Sequence, residues 1–225
     1  MMELSVSGVG VIDKAAAVLS ALEGAPRSLH DLVADTGLSR ATTYRLAVAL
    51  EAHGLVRRDE EGRFTLGLRL IAIGRAAAAL IPLANVALPA LTILRDATGE
   101  SVQLYIRDGD RRVCIAALES PHGLRTIVAM GASLPLEVGS AGRVLTAANL
   151  IPAADVDGWI ESVGEREAGV ASVSAGVLDG NGSPIAAVSV SGPIERTTRR
   201  PGKRYGAEVV AAARHIERAA GLHPS

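Results

Sequence analysis

Apolar residues recur every three or four positions through the first fifty residues of the chain. They form three successive apolar faces. The first contains Val11, Ala15, Leu19 and Leu22, the second contains Leu29, Leu32 and Val33, and the third contains Leu46, Ala47, Ala49 and Leu50. Such spacing places the apolar side chains on one side of an α-helix. The pattern therefore predicts three short helices around a shared core, with the first helix packed behind the other two.

Polar residues mark where the second and third helices begin and end. Ser28 is a good N-cap, and Asp31 stands three residues later, where an acid completes a capping box. Gly37 supplies the left-handed residue that ends the second helix, and Ser39 caps the third. Two helices joined by a short glycine turn form a helix-turn-helix, whose second helix enters the major groove of DNA. The alternative is an ordinary helical hairpin without a ligand.

Two short strand-like runs follow the third helix. Residues 55–58 and 63–66 flank a polar turn that ends in glycine, a pattern typical of a β-hairpin. A hairpin directly after a helix-turn-helix is a wing, and its arginines are then positioned to meet DNA phosphates; the alternative is a plain β-turn. The residues predicted to contact DNA are Ser39, Arg40, Thr42, Thr43, Tyr44, Arg45, Arg57, Arg58 and Arg63.

The charge of this region is unevenly distributed. Residues 1–66 contain seven Lys and Arg against nine Asp and Glu, so the region lacks the overall basic charge that DNA-binding domains usually carry. Residues 39–58, by contrast, contain four arginines and a single acid, Glu51. This distribution predicts a modest number of phosphate contacts per subunit, and therefore more than one subunit for tight binding.

A helix that is apolar on nearly every side is predicted over residues 67–80, with Arg69 and Arg75 as its only charges. Such a helix must be covered by other apolar surface. It is either a core helix of its own subunit or a linker helix that pairs with its copy in a dimer. We favour the linker helix, because the segment lies between two domains with little else to bury it, and we expect Leu70 and Ile73 as contacts.

Helical and alternating patterns mix in the rest of the chain. The predicted strands are residues 101–107, 111–118, 170–178 and 184–191, with residues 126–130 as a candidate for a fifth. The predicted helices are residues 81–98, 139–149 and 202–220. There is no βαβ rhythm, so this part is predicted to be an α+β domain with an antiparallel sheet. The predicted organisation is a winged helix-turn-helix over residues 1–66, the linker helix over 67–80 and the α+β domain over 81–225.

The composition favours a soluble cytoplasmic protein of one or two domains. The 225 residues carry a net charge of −1, and 2% of them are aromatic, which favours packing by small side chains over a sugar- or base-stacking surface. The one cysteine, Cys114, excludes an intramolecular disulfide and fits a reducing compartment. The first residues lack the pattern of a secretory signal. Arg69, Arg75, Pro82 and Asn85 interrupt the most apolar run, which argues against a membrane span.

Catalytic chemistry has little support in this sequence. A phosphate-binding loop, a GxSxG elbow and a GxGxxG turn are all missing. The five histidines are scattered without metal-ligand spacing, so we expect no metal and no cofactor. The apolar neighbours of Cys114 indicate an inert buried thiol. Two rival functions are a small-molecule sensor whose helix-turn-helix binds another protein and, more remotely, an enzyme built on the second domain.

The sequence resembles the IclR family of bacterial transcription regulators over nearly its whole length. Residues 36–46 are similar to the family's recognition segment, and residues 167–196 to its long C-terminal motif. The resemblance implies a regulator that binds double-stranded operator DNA as a homodimer or a dimer of dimers. It also implies a GAF-like effector domain that senses a small, usually carboxylate-bearing metabolite.

Two further observations concern the branch of the family to which the chain is similar and the effector pocket that the family carries. Residues 7–15 and 164–167 are similar to an actinobacterial branch linked to amino-acid biosynthesis, leucine especially. Between residues 147 and 164 the chain is shorter than is usual in the family. Some members carry a pocket carboxylate there, at a position that matches the neighbourhood of Ser162 in this chain.

The resemblance also implies a set of effector-binding positions, namely Ser140, Ala141, Ser172, Ser189 and Ser191. Ser189 and Ser191 are two residues apart, so both point to one face of a strand and Val188 and Val190 to the other. The alternative is a half-exposed strand with an ordinary polar side. We expect mainly aliphatic walls and a carboxylate that is oriented by serines and a helix N-terminus without an arginine. Leucine or a related branched-chain metabolite is the first expectation for the ligand, and a different small acid the second.

Overall fold

The computed structural model describes residues 9–147 and 158–222. The chain divides into two compact units, Met1–Leu80 and Ile81–Ser225. The first unit contains α1 (Gly10–Ala21), α2 (Leu29–Thr36), α3 (Arg40–Ala52), β1 (Val56–Arg58), β2 (Phe64–Leu66) and α4 (Arg69–Ala79). Strands β1 and β2 pair antiparallel, so a helix-turn-helix is followed by a hairpin, as predicted.

The core of the first unit is formed where the three predicted helices meet the hairpin. Its buried members are Val18, Leu22, Leu32, Ala47, Leu50, Val56 and Phe64. Two of the apolar residues assigned to this core from the sequence are exposed instead. Val11 lies in the first turn of α1 with 61% of its surface exposed, and Ala49 lies on the outward side of α3. Helical spacing therefore predicted where the core lies. It did not predict that Val11 and Ala49 stay exposed, because their burial depends on which other elements pack against them.

The predicted caps are present at both helices of the helix-turn-helix. The Ser28 hydroxyl accepts a hydrogen bond from the backbone N–H of Asp31, and the Asp31 carboxylate accepts one from the backbone N–H of Ser28. The side-chain hydrogen bond from Ser28 holds the pKa of Asp31 below its usual value. Gly37 adopts φ 67°, which only glycine takes without strain. An N-cap of this kind stabilises a helix by about 1 kcal/mol.

The second unit is an α+β domain with an antiparallel sheet, as predicted. It contains α5 (Pro82–Thr98), β3 (Ser101–Asp108), β4 (Arg111–Leu118), β5 (Ser133–Pro135), α6 (Ser140–Thr146), β6 (Ile160–Val163), β7 (Val170–Leu178), β8 (Pro184–Pro193), α7 (Ile194–Thr197) and α8 (Pro201–Ala219). Its six strands are ordered β5-β4-β3-β8-β7-β6. The order places β3 and β8 at the centre of the sheet.

The two faces of this sheet are covered differently. Helices α5 and α8 cover one face with a large apolar core that includes Leu91, Leu104, Val190 and Ile216. The short helix α6 lies on the other face, over a smaller core around Cys114 and its neighbours. The second face therefore has less apolar cover, and polar side chains occupy part of it.

Three elements of this unit differ from the prediction. Residues 126–130 form no strand, because residues 126–129 have no regular structure and Met130 lies in a turn; β5 pairs with β4 at this edge of the sheet instead. Strand β6 was not predicted, since its few residues lack a clear alternation. Of the helix predicted over 139–149, the structure shows α6, Ser140–Thr146. Residues 148 and 149 lie outside the described range.

Gly142 lets α6 approach the chain segment before it closely. A Cβ atom at this position would lie 1.9 Å from the backbone oxygen of Leu136, so no side chain fits there. We expect Gly142→Ala to lower the free energy of unfolding by about 1–3 kcal/mol, the usual cost of overpacking. Gly74→Ala is the matched control, because a Cβ there meets nothing within 4 Å. Chemical denaturation measures both; equal stability of the two variants would contradict the close approach.

Candidate nucleic-acid interface and ligand pocket

The outward side of α3 carries most of the residues predicted to contact DNA. Arg40, Tyr44 and Arg45 are exposed, and Thr42 is half-exposed. Ser39 is exposed and caps the helix, accepting a hydrogen bond from the backbone N–H of Thr42 at 3.3 Å. Arg40 and Arg45 form no ion pair within the described part of the chain. The helix thus presents two unpaired cations and a tyrosine on one exposed surface, which we call the α3 surface.

The prediction that Thr43 faces outward is wrong. Its exposed fraction is 0%, and its hydroxyl donates to the backbone oxygen of Ser39 at 3.1 Å. Thr43 stands four residues before Ala47 and seven before Leu50, so helical spacing places it on the same buried side as these core residues. Thr43 therefore supports the helix from within and does not belong to the α3 surface.

The three wing arginines have different surroundings. Arg63 is paired with Asp59 at 2.8 Å and with Glu61 at 3.0 Å, which braces the turn of the hairpin. Arg58 lies 3.4 Å from Glu51 and packs over the ring of Phe64, 4.2 Å from its centroid. Arg57 is exposed and forms no ion pair among the described residues. Of the three, Arg57 is the cation that is free to meet a phosphate without breaking an existing contact.

This difference predicts different effects for two wing variants. Arg57→Ala should weaken binding to all DNA sequences alike and lower the salt slope by about 1 per subunit, because one phosphate contact is lost. Arg63→Ala is the matched control and should leave the salt slope unchanged, since its charge is already neutralised within the turn. Fluorescence anisotropy at several salt concentrations measures both. A larger change of slope for Arg63→Ala would reverse this assignment.

A pocket lies on the less covered face of the sheet, beside α6. All five predicted effector residues line it, namely Ser140, Ala141, Ser172, Ser189 and Ser191. Its volume, about 380 Å³ with the open mouth included, is at the low end of the range for small-molecule pockets. The pocket is therefore suited to a ligand of few atoms.

The register of the strands brings these serines together. Ser189 and Ser191 of β8 stand opposite Ser174 and Ser172 of β7. Gln103 of β3 stands opposite Ser189 on the other side. Val188 and Val190 point into the apolar core beneath α5 and α8, as predicted from the alternation. Ser189 and Ser191 are buried rather than half-exposed, which removes the alternative of an ordinary polar strand face.

Most of the serine hydroxyls in the pocket are hydrogen-bonded within the protein. The Ser140 hydroxyl lies 2.8 Å from those of both Ser172 and Ser174. The Ser191 hydroxyl donates to the side-chain oxygen of Gln103 at 3.1 Å. The N–H of Gly139, at the start of α6, donates to the Glu165 carboxylate at 3.1 Å. The serines thus form a polar floor, and this backbone N–H is already used.

Two arginines that the sequence argument left out also line the pocket, Arg112 and Arg166. Tyr105 and Gln103 line it too, so the expectation of mainly aliphatic walls is wrong, and two cations lie where the sequence argument placed none. One signal in the sequence indicates Arg112. It stands two residues before Cys114, so strand alternation places both on the same buried face.

Arg112 is held tightly at the pocket wall. Its exposed fraction is 3%, and Nη1 donates to the backbone oxygens of Pro135 and Val138. Its guanidinium packs over the ring of Tyr105, 5.4 Å from the centroid. Its Nε is buried and has no hydrogen-bond partner. Burial raises the pKa of Tyr105 far above its ordinary value, so the phenol stays neutral.

Cys114 is a buried thiol, as predicted, with an exposed fraction of 0%. Burial raises its pKa to about 11, so the reactive thiolate is scarce at neutral pH. Within the described residues, no group of three or more His, Cys, Asp or Glu side chains is arranged to hold a metal ion. No single described helix is long and apolar enough to cross a membrane, although α4 and α5 reach that length and apolarity when taken together.

Two family models match the chain and together cover most of it. The model of the IclR helix-turn-helix domain matches residues 11–60. The model of the bacterial transcriptional regulator IclR C-terminal domain matches residues 75–154 and 148–218. The first match contains the α3 surface, and the second contains the pocket.

Individual proteins are similar over nearly the full length as well. The HTH-type transcriptional repressor AllR of Escherichia coli K12 is 28% identical over 252 aligned positions, which cover 96% of this chain and 93% of AllR. The crystal structure of IclR from Thermotoga maritima has a TM-score of 0.73 at 22% identity, covering 94% of this chain and 99% of that one. An IclR homolog from Microbacterium hydrocarbonoxydans, complexed with 4-hydroxybenzoate, has a TM-score of 0.75 at 18% identity, covering 93% and 98%.

Proposed function

The chain belongs to the IclR family of bacterial transcriptional regulators, and we propose that it binds a paired operator sequence as a homodimer or a dimer of dimers, under the control of a small carboxylate in its C-terminal pocket. The family consists of regulators and not of enzymes. The observation that carries the DNA-binding proposal is the α3 surface, with two unpaired arginines on the second helix of a helix-turn-helix.

The α3 surface has the chemistry that DNA recognition requires. Arginine offers a planar fork of donors that matches two acceptors on a guanine edge in the major groove. Ser39 and Thr42 lie at the N-terminus of α3, where hydroxyls and backbone N–H groups contact phosphates in helix-turn-helix proteins. In this arrangement Arg45 reads a base edge, Arg40 and Arg57 meet phosphates, and Tyr44 packs beside them.

The proposal of a dimer rests on α4. No residue of this helix is buried in the single chain. Ile71 and Ile73 are 61% and 48% exposed, and the flanking Leu68 and Leu80 are 69% and 84% exposed. A helix that leaves this much apolar side-chain surface exposed must be covered by another element, and it therefore marks an interaction site. A second copy of α4 would cover it, and two copies of the α3 surface would then bind two half-sites.

The effector proposed for the pocket is a small acid with a polar body. The Microbacterium homolog binds 4-hydroxybenzoate, which is itself a carboxylate. The hydroxyls and guanidinium groups around the pocket suit a carboxylate, whereas the isobutyl group of leucine would find few apolar neighbours. The resemblance of residues 7–15 and 164–167 to one branch of the family supports control of leucine or other amino-acid biosynthesis. This resemblance bears on which genes are regulated and does not identify the ligand.

A gel shift with the DNA upstream of the chain's own gene tests the proposed function. We expect a retarded complex that survives a large excess of random-sequence DNA and that changes in amount when a small carboxylate is added. The rival function, a sensor whose helix-turn-helix binds another protein, predicts no complex that withstands the competitor. The arginines of the α3 surface favour DNA over that rival, because a protein-binding helix buries apolar residues at its centre.

A further inference from the structure

The charges around the pocket are unbalanced. Arg112 and Arg166 line it, and none of the described lining residues is acidic. Two acids lie beside the lining residues without lining the pocket themselves. Glu165 pairs with Arg143 at 3.0 Å and accepts the N–H of Gly139, and Glu167 is a largely exposed partner of Arg166 at 3.7 Å. The protein groups around the pocket therefore carry an excess of positive charge.

One edge of Arg112 has no partner. Nη1 donates to two backbone oxygens, whereas Nε and Nη2 donate to nothing among the described residues. The Nε–Nη2 edge of a guanidinium is a bidentate donor that fits the two oxygens of a carboxylate. A buried donor without an acceptor is unfavourable, because it has lost its hydrogen bonds to water. A bound carboxylate is an occupant that would satisfy this edge.

Arg166 provides a second cation on a different element of the fold. Arg112 lies in β4, whereas Arg166 lies in the segment between β6 and β7. Burial lowers the pKa of Arg112, and the positive charge of Arg166 acts in the same direction. The two guanidinium groups thus repel each other across the pocket. A ligand with a single negative charge on Arg112 leaves Arg166 with only the largely exposed carboxylate of Glu167, 3.7 Å away, as its counter-charge.

We propose that the effector is a short dicarboxylate, with one carboxylate on the free edge of Arg112 and the other on Arg166. This inference rests on the proposed function, because it specifies the ligand of the same pocket. Ser189 and Gln103 lie on the polar floor below and are available to the body of the ligand. The small free volume limits the ligand to a short carbon chain.

Isothermal titration calorimetry of the full chain with succinate and butyrate tests the proposal, because the two acids have the same number of carbons and differ by one carboxylate. We expect succinate to bind at least about tenfold more tightly, a difference of about 1.4 kcal/mol. Inorganic phosphate is the third probe. Phosphate binding as tight as that of succinate would overturn the dicarboxylate, because a single compact dianion would then suffice.

Three variants test whether Arg112 and Arg166 cause the preference for succinate over butyrate. Arg166→Gln should reduce the preference for succinate to within about threefold, since one counter-charge is lost. Arg112→Lys keeps a charge but loses the bidentate edge, and should weaken both acids by about tenfold or more. Arg111→Gln is the matched control, because Arg111 is exposed and bonded to Ser133 outside the pocket; it should behave as wild type. Circular dichroism verifies that each variant is folded.

The outcomes separate this inference from the proposed function. Equal binding of butyrate and succinate to wild type would overturn the dicarboxylate and leave a carboxylate pocket in place. A succinate preference that persists in folded Arg166→Gln would also overturn it. Failure of all three probes to bind would overturn the dicarboxylate and the carboxylate effector together, while the gel shift without ligand would still decide DNA binding.

Discussion

Ile73→Asp in α4 is expected to convert the protein into monomers and to remove most of its operator affinity. Ile73 is 48% exposed in the single chain and lies on a helix that has no buried residue. A carboxylate in an apolar contact between two copies of α4 would be buried without a partner, which costs several kcal/mol. A monomer also binds one half-site at a time, so we expect operator affinity to fall by about 10²-fold or more.

Light scattering and anisotropy with operator DNA measure the two consequences separately. Ile73→Leu is the matched control, since it keeps the apolar area and should keep both the oligomer and the affinity. If a folded Ile73→Asp variant kept the molar mass of the wild type, α4 would pack within a single subunit and would not form the contact between subunits.

Arg45→Ala is expected to weaken sequence-specific binding strongly while leaving the protein folded. The Arg45 side chain is exposed and forms no ion pair in the described part of the first unit, so its loss should not affect stability. A bidentate contact with a base contributes about 1–3 kcal/mol of discrimination. A dimer makes the contact twice, so the specific affinity should fall by about 2–6 kcal/mol in total, provided that the two half-sites act independently.

Arg45→Lys is the control for this prediction. Lysine keeps the charge and therefore much of the attraction to phosphates, but it lacks the fork that matches two acceptors. Both variants should bind random-sequence DNA within a few-fold of wild type and should lose preference for the operator. If Arg45→Ala weakens random and operator DNA equally, Arg45 contacts the backbone and another residue of the α3 surface reads the bases.

Local sequence signals predicted the helix-turn-helix well. The capping box of Ser28 and Asp31 and the left-handed Gly37 act within a few residues, so the sequence alone carries the information. Thr43 shows the limit of this reasoning. Its polar side chain suggested an outward position, but its spacing from Ala47 and Leu50 places it inside, and a hydroxyl bonded to the preceding turn is readily buried.

The pocket was predicted only in part, because its parts come from distant segments. Strand alternation gave the side on which Ser189 and Ser191 lie. It did not give the neighbours of these serines, since Gln103 and Arg112 approach through the pairing of β3 with β8 and β4. The sequence also did not predict which of the wing arginines are paired with acids. Whether Arg58 and Arg63 are free depends on Glu51, Asp59 and Glu61, and no spacing rule decides which pairs form.

Selection of binding sites from a random DNA pool by the full wild-type chain tests the central claim most directly. We predict enrichment of an inverted repeat whose half-sites are centred about 10 base pairs apart, or a multiple of that spacing, as two-fold related helix-turn-helix units require. Repeated with Arg45→Lys, the selection should lose its preference at one base pair in each half-site. A pool that shows no enriched sequence, or an enriched sequence without two-fold symmetry, would contradict a dimer that reads DNA with α3.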